Sequence, residues 1–133
     1  MIGDALTMIR DLNAGPRAVA RWGAALNLPQ LIGGPVFFWR WEGPAVFAAC
    51  AAAVLIAGQI HKRRPFSRLT SVSHVFWLPL LPALAWSLQR ADGVFSIWLG
   101  YVAATIAVSL ALDAWNLVLY ARGDRAFYSG SSS

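Results

Sequence analysis

The amino-acid sequence predicts an all-α fold, a polytopic transmembrane helix bundle of four spans whose first span is irregular. Three observations carry that expectation. Of 133 residues, 58% are hydrophobic and 13% charged, against about 25% charged in soluble domains, and mean hydropathy is +0.54. A chain this short that folded in water would leave much of its surface there, and it lacks the polar residues to cover it. Second, the charges leave three uncharged stretches of 18 to 21 residues, each long enough for a helix to cross a hydrocarbon core about 30 Å thick. Third, the distribution of lysine and arginine favours four crossings over three. The composition excludes a disordered chain, a secreted disulfide scaffold and an ordinary soluble enzyme. The length fits a single membrane domain, residues 1–128.

Residues 1–21 read as a cytoplasmic amphipathic segment. A short helix over Asp4 to Asn13 brings Leu6, Ile9 and Leu12 or Asn13 near one face. Asp4 near its start suits the helix dipole, and Gly15-Pro16 breaks the chain before the first span. Such a helix lies on the lipid surface or binds a partner, and the two look alike in sequence. The segment has no apolar core of a secretory signal, being punctuated by Asp4, Arg10, Asp11, Arg17 and Arg21.

The first span, about 22–39, runs from Trp22 to Trp39 without a charge but is interrupted by Asn27, Pro29, Gln30, Gly33-Gly34 and Pro35. A broken spanning helix fits; so does a re-entrant or interfacial segment, which leaves three spans. The positive-inside rule separates them. Without this crossing, six basic residues (Lys62, Arg63, Arg64, Arg68, Arg122 and Arg125) face five (Arg10, Arg17, Arg21, Arg40 and Arg90). With it, Arg10, Arg17 and Arg21 change sides and the ratio becomes nine to two. Four spans with both termini cytoplasmic is the preferred topology.

The second span, about 43–60, is rich in small residues (Ala48, Ala49, Ala51, Ala52, Ala53, Gly58), as is the fourth, about 93–120 (Gly100, Ala103, Ala104, Ala107); such residues let helix backbones approach closely. The third, about 69–89, contains Pro79 and Pro82, expected to kink it. The outer links, Arg40-Trp41-Glu42 and Arg90 to Gly93, are short enough to force antiparallel neighbours in an up-down-up-down bundle. Trp39, Trp41 and Trp86 fall at the outer boundary and Trp22 at the inner one, where amphipathic rings favour the headgroup level. Residues 129–133 read as a flexible tail or a remnant of cloning.

The net charge of +5 concentrates in a basic cytoplasmic loop, Lys62, Arg63, Arg64 and Arg68, in which His61 is expected to be solvated. This is the cationic bias of cytoplasmic membrane loops; no aromatic platform is interleaved with it, so nucleic acid is not an expected partner. The single cysteine, Cys50, lies among alanines and is expected to pack as a small hydrophobe. No catalytic, nucleotide-binding or metal-ligand motif occurs, and no catalytic residue, cofactor or metal is assigned.

What stands out is a set of polar residues at membrane depth. Counted inward from the cytoplasmic charge that bounds each span, Asn27, Gln30, His74, Asp113 and Asn116 lie six to nine residues deep, about 9–14 Å at 1.5 Å per residue. Asp113 and Asn116, spaced i and i+3, share one helix face. These five form a candidate polar cluster in the cytoplasmic half, with His74 and Asp113 as its titratable pair; interhelical hydrogen bonding is the alternative account. The expectation for function is a small integral membrane protein, a non-catalytic accessory or assembly subunit acting through helix packing. The alternatives are a homo-oligomeric transporter or channel using the polar cluster, and, with less support, a membrane enzyme using His74 and Asp113. Expected partners are the lipid bilayer and a homo-oligomer or larger complex in a bacterial inner membrane; no small-molecule substrate is indicated.

Overall fold

The computed structural model describes residues 1–127; the expected tail, 129–133, lies outside them. They form helices: α1 (Ile2–Ala14), α2 (Arg17–Val36), α3 (Glu42–Arg63), a 3-10 helix (Arg68–His74), α4 (Trp77–Leu88) and α5 (Gly93–Ala121). Helices α3 and α5 are long and apolar enough to cross a membrane, and the 3-10 helix with α4, bent by 48° to one another, makes a third if the pair is one span. Helix α2 has the length, 20 residues, but Arg21, Asn27 and Gln30 keep its hydropathy below theirs.

The core lies where α2, α3, α4 and α5 meet. Leu26, Val46, Trp77, Leu84, Leu99, Val102 and Ile106 are its fully or nearly fully buried members. Trp98 and Phe37 pack against it, their rings 5.0 Å apart. The short links between α2 and α3 and between α4 and α5 make antiparallel neighbours of each pair, as expected. Gly93 opens α5 with φ +61°, a left-handed conformation that glycine adopts without steric cost.

Irregularity sits elsewhere than the sequence predicts. Helix α2 continues through Pro29 and Gly33-Gly34, and α5 supplies the one donor that Pro29 leaves missing. Pro29 has no N–H, so the carbonyl of Ala25, four residues back, loses its helical donor. The Tyr101 hydroxyl donates to that carbonyl at 2.6 Å, and the Trp98 indole N–H donates to the Pro29 carbonyl at 2.9 Å. Gly33 is a contact point rather than a break: a side chain there would collide with the Trp98 indole.

The third segment, by contrast, is broken. Its bend lies at Val75 and Phe76, upstream of both prolines. A proline is tolerated in the first turn of a helix, where its missing N–H is unpaired in any case, so the α-helix restarts at Trp77 with Pro79 in that turn. Before the bend the chain winds as a 3-10 helix whose Ser67 N-cap accepts from the Leu69 N–H at 3.1 Å.

Helix α1 docks against α3 and α2. It buries Ala5 and Met8 and leaves Leu6 and Ile9 exposed, so its expected apolar stripe is divided between an inner and an outer face. Gly58 of α3 permits the contact, since a Cβ there would stand 2.8 Å from the Ala5 backbone. Asp4 accepts from the Gln59 amide at 2.7 Å and pairs with Lys62 at 3.3 Å. The Gln59 hydrogen bond, and after it Lys62, hold the Asp4 carboxyl below its ordinary range against the opposing effect of burial.

His61 is a correction. Expected in solvated loop, it lies in the last turn of α3, 4% exposed. The Phe66 backbone N–H donates to its Nδ1 at 3.3 Å. A backbone N–H can only donate, so Nε2 carries the proton and donates to Asp11 Oδ2 at 2.9 Å. One imidazole thus fastens α1 to the end of α3 and to the turn that follows. The basic run is equally structured: Lys62 and Arg63 end α3, where cations complement the helix dipole, and Arg68 begins the 3-10 helix. An isolated antiparallel bridge, Ser67 to Ala126, ties this turn to the chain after α5.

Candidate functional site

The expected polar cluster separates into two sets. Asn27 and Gln30 belong to the side of α2 that meets α3. The Asn27 amide donates to the Gly23 carbonyl of its own helix, while its Oδ1 accepts from the Cys50 thiol at 3.2 Å. Gln30, fully buried, donates to the Leu26 carbonyl at 2.9 Å and leaves Oε1 unpartnered. Cys50 thus packs as expected and adds a weak hydrogen bond.

His74, Asp113 and Asn116 come together on the other side of the molecule, between the 3-10 helix and α5. His74 Nδ1 lies 2.7 Å from Asp113 Oδ2, with their side chains 20% and 12% exposed. The Arg68 guanidinium donates to Asn116 Oδ1 at 2.5 Å and pairs with Asp124 at 3.1 Å. Trp77 stacks flat on the His74 imidazole, ring centroids 4.1 Å apart and planes 9° from parallel.

The winding of the 3-10 helix makes this possible. With three residues per turn, side chains at i and i+3 eclipse, so Arg68, Ser71 and His74 stand in one row. In an α-helix, at about 100° per residue, Arg68 and His74 would point roughly 120° apart. The row meets Asp113 and Asn116, one turn apart on α5. The 48° bend then brings Trp77 back over the imidazole. The pair opens on a cavity of about 230 Å³ lined by Ser71, Val72, Val75, Leu78, Leu110 and Leu117 among others.

Chemically, the pair can hold or pass one proton. With Asp113 as the carboxylate and His74 neutral, His74 Nδ1–H donates to it and Nε2 presents its lone pair. The stacked Trp77 and the carboxylate fix the imidazole in both tilt and tautomer. Among the described residues no three of His, Cys, Asp and Glu lie close enough to hold a metal ion.

Other residues of the bundle carry no signal in the sequence. Glu42, read as a boundary charge, is 2% exposed, with Arg40 3.6 Å away; the Arg40 guanidinium lies over the Phe95 ring. Trp77 lies inside the third span, but nothing in the sequence marks it as the partner that stacks on His74. The need for a donor to the Ala25 carbonyl was implicit in the missing Pro29 N–H, but nothing in sequence marks Tyr101 as its supplier.

No protein-family model matches this chain, and neither does any curated protein or solved structure.

Proposed function

We propose that this chain is a small integral membrane protein of four spans, both termini on the cytoplasmic side of a bacterial inner membrane, acting as a non-catalytic accessory or assembly subunit through helix packing. One observation carries the reading: several polar side chains within the bundle pair across helices, in two separate sets instead of converging on one cavity. His74 with Asp113, Arg68 with Asn116, Cys50 with Asn27, and Trp98 and Tyr101 with the α2 backbone each join two segments. Interhelical hydrogen bonds of this kind contribute about 0.6 kcal/mol each. The outward face of α5 exposes Val94, Ile97, Val108, Leu112 and Trp115, a surface for lipid or for a second membrane helix.

A second reading, a homo-oligomeric transporter or channel, draws on one feature. The discontinuous third segment places His74 beside its break, and discontinuous helices supply binding groups in transporters. Purification in mild detergent followed by native mass spectrometry separates the two. A different protein bound at fixed stoichiometry is the outcome expected for an accessory subunit. A symmetric homo-oligomer with no such partner overturns that reading in favour of transport.

A further inference from the structure

The cavity beside His74 and Asp113 has a chemistry that helix packing does not require. Val72, Val75 and Leu78 on its rim are exposed, so it opens on the outside of the bundle, toward hydrocarbon if the third segment spans. Asp113 engages Nδ1 of His74. Nε2 makes no hydrogen bond among the described residues, yet it is not among the fully buried unpartnered atoms, so it is reachable. The other lining residues are apolar apart from Ser71, and the cavity offers no arginine or lysine. A phosphate headgroup therefore finds no cation there and meets the Asp113 carboxylate, while a bare acyl chain leaves Nε2 unpaired in a medium without water. The size is informative too: a cavity of about 150 Å³ holds benzene, so this one accepts a substituted ring.

We infer that this cavity binds the uncharged, ring-sized head of a lipid-soluble molecule bearing a hydroxyl, of the hydroquinone class, with the hydroxyl donating to His74 Nε2. In the neutral ring, with its proton held at Nδ1 by Asp113, Nε2 offers the ligand its lone pair. Trp77, stacked on the imidazole, holds the plane of the His74 ring where it lines the cavity. This inference does not rest on the accessory-subunit reading and survives its failure.

The chain has two histidines, so labelling with [15N]-histidine gives two resolvable rings. In phosphatidylcholine nanodiscs, decyl-hydroquinone is expected to shift the His74 Nε2 resonance saturably and leave His61 unmoved, and its O,O-dimethyl ether is expected to leave both unmoved. Equilibrium partitioning against empty nanodiscs is expected to show the hydroquinone bound about tenfold or more tightly than the ether, the equivalent of one hydrogen bond. In His74→Phe, which keeps the ring stack and removes Nε2, that ratio falls to near one. The inference is overturned if His74 does not shift at saturation, if the ether shifts it equally, or if His74→Phe retains the preference. The comparison of the two probes uses the unmodified protein, so it stands even if the variant does not fold.

Discussion

Pro29 creates a vacancy in the hydrogen-bond ladder of α2, and Tyr101 fills it. In lipid an unpaired carbonyl has no water to turn to, so the hydroxyl of Tyr101 carries weight although its ring is partly exposed. Tyr101→Phe is expected to lower stability by about 0.6–1.7 kcal/mol, measured by unfolding in mixed detergent micelles, and Pro29→Ala in the same background should recover most of it, since the restored N–H pairs the Ala25 carbonyl from within the helix. An unchanged Tyr101→Phe midpoint would show that the hydroxyl does not support this helix. At the second polar site, Asp113→Asn and His74→Ala each remove half of a partly buried pair and are expected to cost about 1–3 kcal/mol apiece. The double variant should cost clearly less than their sum, because each residue acts through the other. Simple additivity would mean that the 2.7 Å contact is not energetically coupled.

Among the elements, α1 and the 3-10 helix show how far sequence reading reached. That a short helix over Asp4 to Asn13 precedes a break at Gly15-Pro16 was readable, because periodicity, dipole and breaker signals are local; the helix itself runs Ile2–Ala14. Which face docks was not, since Ala5 and Met8 are chosen by the notch at Gly58 on a helix more than fifty residues away. Gly58→Ala is accordingly expected to loosen α1, with an overpacking cost of about 1–3 kcal/mol seen as faster amide exchange confined to residues 2–14. The docking also has a pH dependence with a defined sign. The folded-state pKa of Asp4 lies below its ordinary 3.8, so its contribution is complete above that value and disappears as pH falls through the lowered one. Exchange protection of α1, corrected for intrinsic rates, should therefore hold down to about pH 4 and fall below it, and Asp4→Asn should shrink that acid-side step. The 3-10 winding of 68–74 was not legible. A run of apolar and hydroxyl residues of this length reads as α-helix, and its register is chosen by the reward of meeting Asp113 and Asn116 together.

For the molecule as a whole, topology is the property that most needs measurement. Antiparallel pairing of α2 with α3 and of α4 with α5 places the 37–41 and 89–92 links at one end and both chain ends at the other if α2 crosses. Reporter fusions at the N- and C-termini are then expected to report the same, cytoplasmic side. An N-terminus on the opposite side would leave three spans and put α2 in the interface. The two-way division of the polar residues belongs to this scale as well. Counting inward from bounding charges placed Asn27, Gln30, His74, Asp113 and Asn116 at one depth, but depth is a single coordinate. Position around the bundle, which sends the first two toward α3 and brings Asp113 and Asn116 to the 3-10 helix that carries His74, comes from how helices pack.

By itself the sequence determined the all-helical class and the presence of stretches long and apolar enough to cross a membrane, since these depend on composition and on signals within a few residues of each other. Tertiary structure alone decided that the proline-bearing α2 stays continuous while the third segment breaks, that His61 is buried against Asp11, and that His74 meets Asp113. Each of these depends on a donor, acceptor or ring delivered by a helix distant in sequence, and such a delivery exists once the helices have packed and not before.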